Sequence, residues 1–154
     1  MSNPLRQLAD VGQSFWLDNL SRELIESGEL QGLIDDDGLR GITSNPTIFE
    51  KAFSSGDAYD RDIARLANED VSVSEVFEVL SSEDIRNAAD MLRPIYDASG
   101  GTDGFVSLEL PPSLAYDTEG SIEEAKRLFG MVDRPNIMIK VPGTAEGLPA
   151  IETL

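Results

Sequence analysis

Apolar positions along the chain gather into four short runs, and the stretches between them carry helical periodicity. The runs are SFWLD (14–18), GITSN (41–45), GFVSLEL (104–110) and IMIKVP (137–142). Each has the length of a strand and is bounded by turn or cap residues. Residues 21–30 predict a short helix, and 46–53 a second one, with Asn45 at the N-cap and Pro46 at the first helical position. Helical stretches follow over 56–68 and 72–98, the latter with a break near Ser81 and Ser82. Over 118–132, Ile122, Ala125, Phe129 and Val132 recur at helical spacing, one apolar stripe on a charged back. A further helix starts at Ala145.

Strands that alternate with helices pair in parallel through right-handed crossovers, which makes the chain an α/β protein. Two architectures compete: an open doubly wound sheet and a (β/α)8 barrel. No GxGxxG turn or Walker loop is present, and Gly100-Gly101 precedes a strand where a phosphate loop would follow one. That weakens a nucleotide-binding reading.

Side chains alternate across a strand, so each run splits into two faces. Trp16 and Asp18 oppose Phe15 and Leu17. Thr43 and Asn45 oppose Ile42 and Ser44. Phe105, Ser107 and Glu109 oppose Val106, Leu108 and Leu110, while Met138 and Lys140 oppose Ile137, Ile139 and Val141. Every strand thus has an apolar face and a second face that turns polar at its C-terminal end, at Asp18, Asn45, Glu109 and Lys140. A barrel with its active site at the C-terminal rim predicts this pattern.

Each residue also has a plainer reading. Asp18 and Asn45 are both good helix caps, Glu109 is one of 29 acidic residues, and a strand-end lysine is usually solvated. Lys140 fits its plain reading least, because apolar neighbours on both faces place it in an interior strand. A buried ammonium is costly unless it loses its proton or meets carboxylates. A lysine desolvated in that way is a nucleophile toward carbonyls and forms Schiff bases.

Composition narrows the chemistry further. The 154 residues suit one domain, and 12 Lys+Arg against 29 Asp+Glu give a net charge of −17, which disfavours nucleic acid and anionic membrane as partners. The chain has no cysteine and no histidine, which excludes disulfides, Cys or His metal sites and Ser-His-Asp triads. Acid/base work therefore falls to carboxylates, lysine, tyrosine or water. No apolar run reaches the length of a membrane span and MSNPLRQLAD lacks the features of a secretory signal, so a cytoplasmic location is expected.

The segments SFWLDNLSR, GITSNPTIF, VSLELPPSLAYD and PNIMIKVPGTAEGLPAIE, in that order and at those intervals, resemble the transaldolase family over essentially the whole chain. The resemblance implies a (β/α)8 barrel that needs no metal or organic cofactor. It also implies transfer of a dihydroxyacetone unit from sedoheptulose 7-phosphate or fructose 6-phosphate to an aldose phosphate such as glyceraldehyde 3-phosphate or erythrose 4-phosphate, in the pentose phosphate pathway. By the match of IMIKVPGT, Lys140 falls on the Schiff-base lysine of the fourth strand. FWLDN puts Asp18 on the acid/base aspartate, and VSLE puts Glu109 on the glutamate that works with a catalytic water. The SNP motif puts Asn45 on the residue that hydrogen-bonds the covalent intermediate, with Thr43 and Ser44 assigned to the same substrate-binding group. The smaller fructose-6-phosphate aldolases carry a glutamine resembling Glu109, so the glutamate favours the transaldolases.

One departure matters. A complete barrel takes about 250 residues and eight strands, and this sequence stops at Leu154 after its fourth. The expectation is the N-terminal part of a single barrel domain over 1–154, cut short after strand four and without the family's phosphate-binding residues. Such a half barrel exposes the edges of its first and fourth strands, inviting homodimerisation or other association, and is expected to turn over little by itself. A fructose-6-phosphate aldolase-like lyase and a non-catalytic half-barrel fragment are the alternatives.

Overall fold

The hydrophobic runs become four strands in a computed structural model of the chain, which describes residues 3–69 and 71–154. Met1, Ser2 and Asp70, inside the single domain expected over 1–154, lie outside the described residues. The strands are β1 (Phe15–Asp18), β2 (Leu39–Thr43), β3 (Phe105–Glu109) and β4 (Ile137–Lys140). They form one sheet in the order β1-β2-β3-β4, every neighbouring pair parallel. Strict sequence order separates the two competing architectures, because a doubly wound sheet reverses its strand order at a switch point whereas a barrel does not.

The helices depart from expectation in three places. The stretch 21–30 divides at Gly28 into α2 (Arg22–Glu26) and α3 (Glu29–Gly32); a short α1 (Pro4–Gln7) precedes them. After α4 (Pro46–Phe53), α5 spans only Asp60–Ala67. The break expected near Ser81 and Ser82 is absent: α6 runs unbroken over Val73–Ala98. Both serines are buried within it, and the Ser81 hydroxyl donates back to the Glu78 carbonyl at 3.2 Å. A serine whose hydroxyl satisfies itself on the preceding turn no longer competes with the helix. Ser72 and Glu75 cap the start of α6 reciprocally.

The buried stripe of α7 (Thr118–Val132) is Ser121, Ala125, Leu128 and Val132. Phe129, expected in that stripe, is exposed, because the spacing from Ala125 that meets the sheet is three residues and not four. Chain order closes with α8 (Gly147–Thr153). Among the described residues no helix is long and apolar enough to cross a membrane.

The core lies between one face of the sheet and the helices. Ile42, Val106, Leu108, Leu110 and Ile137 pack with Ile85, Ala88, Ala89 and Leu92 of α6 and with Ala125, Leu128 and Val132 of α7. Burying each of the larger side chains contributes about 1.5–3 kcal/mol, so this face holds the sheet in place. Asn136, fully buried just before β4, donates to the carbonyls of Ala89 (2.8 Å) and Gly104 (2.9 Å), tying α6 to the start of β3.

The opposite face is the one that turns polar. At its base the indole of Trp16 lies flat over Gly41, where a Cβ would come within 2.2 Å of the ring. Only glycine on β2 admits that contact. In this chain β1 and β4 are the edge strands, each paired on one side only.

Candidate active site

The register of β3 and β4 sets Glu109 directly opposite Lys140. Side chains at directly opposed positions share a face and can touch, and here Lys140 Nζ donates to Glu109 Oε2 at 2.6 Å. The same ammonium donates to the backbone carbonyl of Ser44 at 3.2 Å, its four-carbon stem crossing β3 to reach the end of β2. Three strand ends therefore meet at one amine.

The lysine is less buried than its apolar neighbours predict. Its side chain is 40% exposed and that of Glu109 31%. An ion pair this exposed contributes at most about 1 kcal/mol to stability. A carboxylate 2.6 Å from an amine is nevertheless well placed to take or return its proton.

A second pair forms next door. Asp18 at the end of β1 is in register with Thr43 at the end of β2, and Thr43 Oγ1 donates to Asp18 Oδ1 at 2.6 Å. The capping role open to Asp18 is taken by Ser21, whose Oγ accepts the Leu24 N–H at 3.1 Å at the start of α2. Asp18 is left exposed at the rim.

Asn45 does fill its capping role, since its Oδ1 accepts the Ile48 N–H at 3.0 Å. Its Nδ2 remains a donor for a ligand. The Ser44 side chain is fully buried and donates to the Ser107 carbonyl at 2.7 Å. Strand alternation dictates that orientation, and only the Ser44 backbone carbonyl reaches the site.

One neighbour was not singled out by sequence. Ser107 sits on the same face of β3 as Glu109, and its hydroxyl is buried with no hydrogen-bond partner. Alternation already placed it with Glu109; its orphaned hydroxyl was invisible without coordinates. Among the described residues, no group of three or more acidic, His or Cys side chains is placed to hold a metal ion.

Behind the loop that follows β1 lies a buried polar cluster. Tyr59 donates to Asp84 Oδ2 at 2.6 Å and accepts the Arg22 N–H at 2.7 Å. Burial first, and then the bond to Asp84, push the Tyr59 phenol above its ordinary value. Burial pushes the Asp84 carboxyl up as well, against the pull of Tyr59 and Arg22. A raised folded-state value means that the Tyr59 contribution is fully present below about pH 10 and is lost above it, where only the unfolded chain ionises. Denaturant unfolding at about pH 9 and about pH 11 should therefore show the parent losing about 1.4 kcal/mol more than Tyr59→Phe over that interval. Equal losses in the two proteins would remove this assignment.

Parallel strands in sequence order, with helices packed on one face, define the first half of a (β/α)8 barrel, and a lysine–carboxylate pair lies at the C-terminal end of its other face. Comparison with known proteins gives the family. The family model for transaldolase/fructose-6-phosphate aldolase matches residues 15–154, and the chain belongs to that family. It is 54% identical over 151 residues to a transaldolase of Thermobifida fusca, covering 98% of this chain and 41% of that protein. It is 50% identical over 152 residues to a transaldolase of Thiobacillus denitrificans (99% and 42%) and 49% identical over 151 residues to transaldolase 2 of Nostoc punctiforme (98% and 40%). The chain thus spans about two-fifths of the length of the curated relatives it matches.

Proposed function

We propose that the protein carrying this chain is a transaldolase that works through a Schiff base on Lys140. In this reading the sheet is the first four strands of a single barrel domain, and the substrates are sugar phosphates of the pentose phosphate pathway in the cytoplasm. The observation that carries it is the Lys140 amine 2.6 Å from the Glu109 carboxylate at the polar rim of the sheet.

Lys140, its proton passed to Glu109, adds to C2 of the ketose, and loss of water leaves an iminium. Asp18 takes the proton of the C4 hydroxyl as the C3–C4 bond breaks. The electron pair moves into the iminium to give an enamine, and the aldose departs. The enamine then attacks the acceptor aldehyde, which recovers a proton, and water releases Lys140. Glu109 beside Lys140 balances its charge through these steps, and carboxylates suit the proton transfers of a chain without histidine. Asn45 Nδ2 and Thr43 face the three-carbon unit that stays bound.

Glu109 stands where the smaller fructose-6-phosphate aldolases carry a glutamine, and this favours the transaldolase reading. Glu109→Gln should slow formation of the borohydride-trapped adduct on Lys140 by on the order of 10²-fold. The fold should survive, because the pair is a third exposed and contributes little to stability. An unchanged trapping rate would refute the role given to Glu109.

A further inference from the structure

Asp18 is exposed at a strand end, yet proton transfer requires its carboxylate to be held to within a fraction of an ångström. The bond from Thr43 fixes it from the side. The chain behind it is fixed by something else.

Four residues after Asp18, Arg22 opens α2, and it is buried. Its backbone N–H, one of the donors that a helix start leaves unpaired, is taken by the Tyr59 hydroxyl at 2.7 Å. That hydroxyl donates to Asp84 Oδ2 at 2.6 Å, and Arg22 Nε donates to Asp84 Oδ1 at 3.1 Å. One carboxylate, itself fully buried in the middle of α6, therefore holds Arg22 by its main chain and by its side chain at once. The guanidinium lies 4.8 Å over the Tyr59 ring and also pairs with Asp62 and with Glu83 (3.0 Å).

The cluster is not remote from the site. A cleft of about 330 Å³ is lined by Asp18, Asn19, Ser21 and Tyr59 among others, so the ring that anchors Arg22 also forms a wall beside Asp18. Between the two, Leu20 is sunk fully into the core and Ser21 caps α2. Apolar residues of similar volume would stabilise this spot as well as or better than a buried ion pair. What the polar ring supplies is a single fixed geometry.

We infer that Arg22, Tyr59 and Asp84 are positioning residues that lock the loop after β1 and so hold Asp18 against Thr43. The inference rests on the reading of Asp18 as the proton-transfer group. None of the three needs to touch substrate.

The test uses the chain with ¹³C-labelled aspartate and follows the Asp18 carboxyl signal by NMR at one fixed pH. In the parent, Thr43→Val removes the bond from Thr43 and should shift that signal. In Tyr59→Phe, which opens the ring while keeping its volume, the same Thr43→Val change should shift it by less than about half as much, because the two groups are coupled through Asp18. Val132→Ala serves as the control: it removes buried volume from α7, away from the ring, and should leave the Thr43 effect at its parent size. Arg22→Lys, which keeps the charge but loses the fork, stands in should Tyr59→Phe fail to fold. An equal Thr43 effect in parent and ring variant would overturn the proposal. Failure of the underlying reading looks different: Asp18→Asn would then cleave ketose as fast as the parent while the NMR coupling persisted.

Discussion

Methionine in place of Lys140 is expected to leave the protein folded and to end its covalent reaction with ketoses. The side chain is 40% exposed and its pair with Glu109 spans 2.6 Å at the open flank of β4. Losing that pair costs at most about 1 kcal/mol, and the Glu109 left behind is solvated and not stranded in the core. Chemistry is another matter, since Lys140 is the amine that pairs with Glu109. Reductive incorporation of dihydroxyacetone should fall by on the order of 10³-fold or more at this position, to the background set by Lys51, Lys126 and the α-amino group. A urea unfolding curve beside that of the parent checks the first half of the expectation. Mass spectrometry after borohydride checks the second. A variant that still incorporated the label at the parent level would show that the nucleophile lies elsewhere.

A large structural effect is expected from Gly104→Ala. Gly104 enters β3 with φ +82°, and a Cβ there would lie 2.4 Å from the Tyr96 nitrogen and 2.9 Å from the Leu92 carbonyl of α6. Its N–H donates to the Arg40 carbonyl at 3.0 Å, and its own carbonyl accepts from Asn136 at 2.9 Å, so the backbone cannot rotate out of the way without breaking both bonds. Strained backbone and a close contact with helix backbone together should cost roughly 3–5 kcal/mol. Against a total stability of about 5–15 kcal/mol, that shift is visible as a fall in the urea midpoint at unchanged slope. A midpoint within error of the parent would contradict the packing of β3 on α6.

Much of this arrangement is legible in the sequence, and the reasons are specific. Four apolar runs gave the four strands because each packs one face on the helices and turns polar on the other towards its C-terminal end. That alternation set Ser44 with Ile42, and both are buried. The break expected at Ser81 and Ser82 failed because propensity counts a serine as free to compete for backbone, while α6 buries both against its neighbours. Phe129 misled because helical spacing permits three or four residues, and only packing chooses between them.

What sequence could not reach are relations between distant segments. Arg22, Tyr59 and Asp84 stand 37 and 25 residues apart along the chain, each unremarkable among 12 basic and 29 acidic residues, and only the fold closes them into a ring.

The central claim is that the dihydroxyacetone unit of a ketose phosphate stays covalently on Lys140 after the remaining carbons leave. Incubation of the protein with fructose 6-phosphate under borohydride, followed by peptide mapping, measures it directly, because trapping accumulates even where turnover is slow. A three-carbon adduct on the peptide that contains Lys140, and none above background on those that contain Lys51 or Lys126, is the predicted result. A six-carbon adduct alone, or label spread over the three lysines according to their exposure, would contradict it.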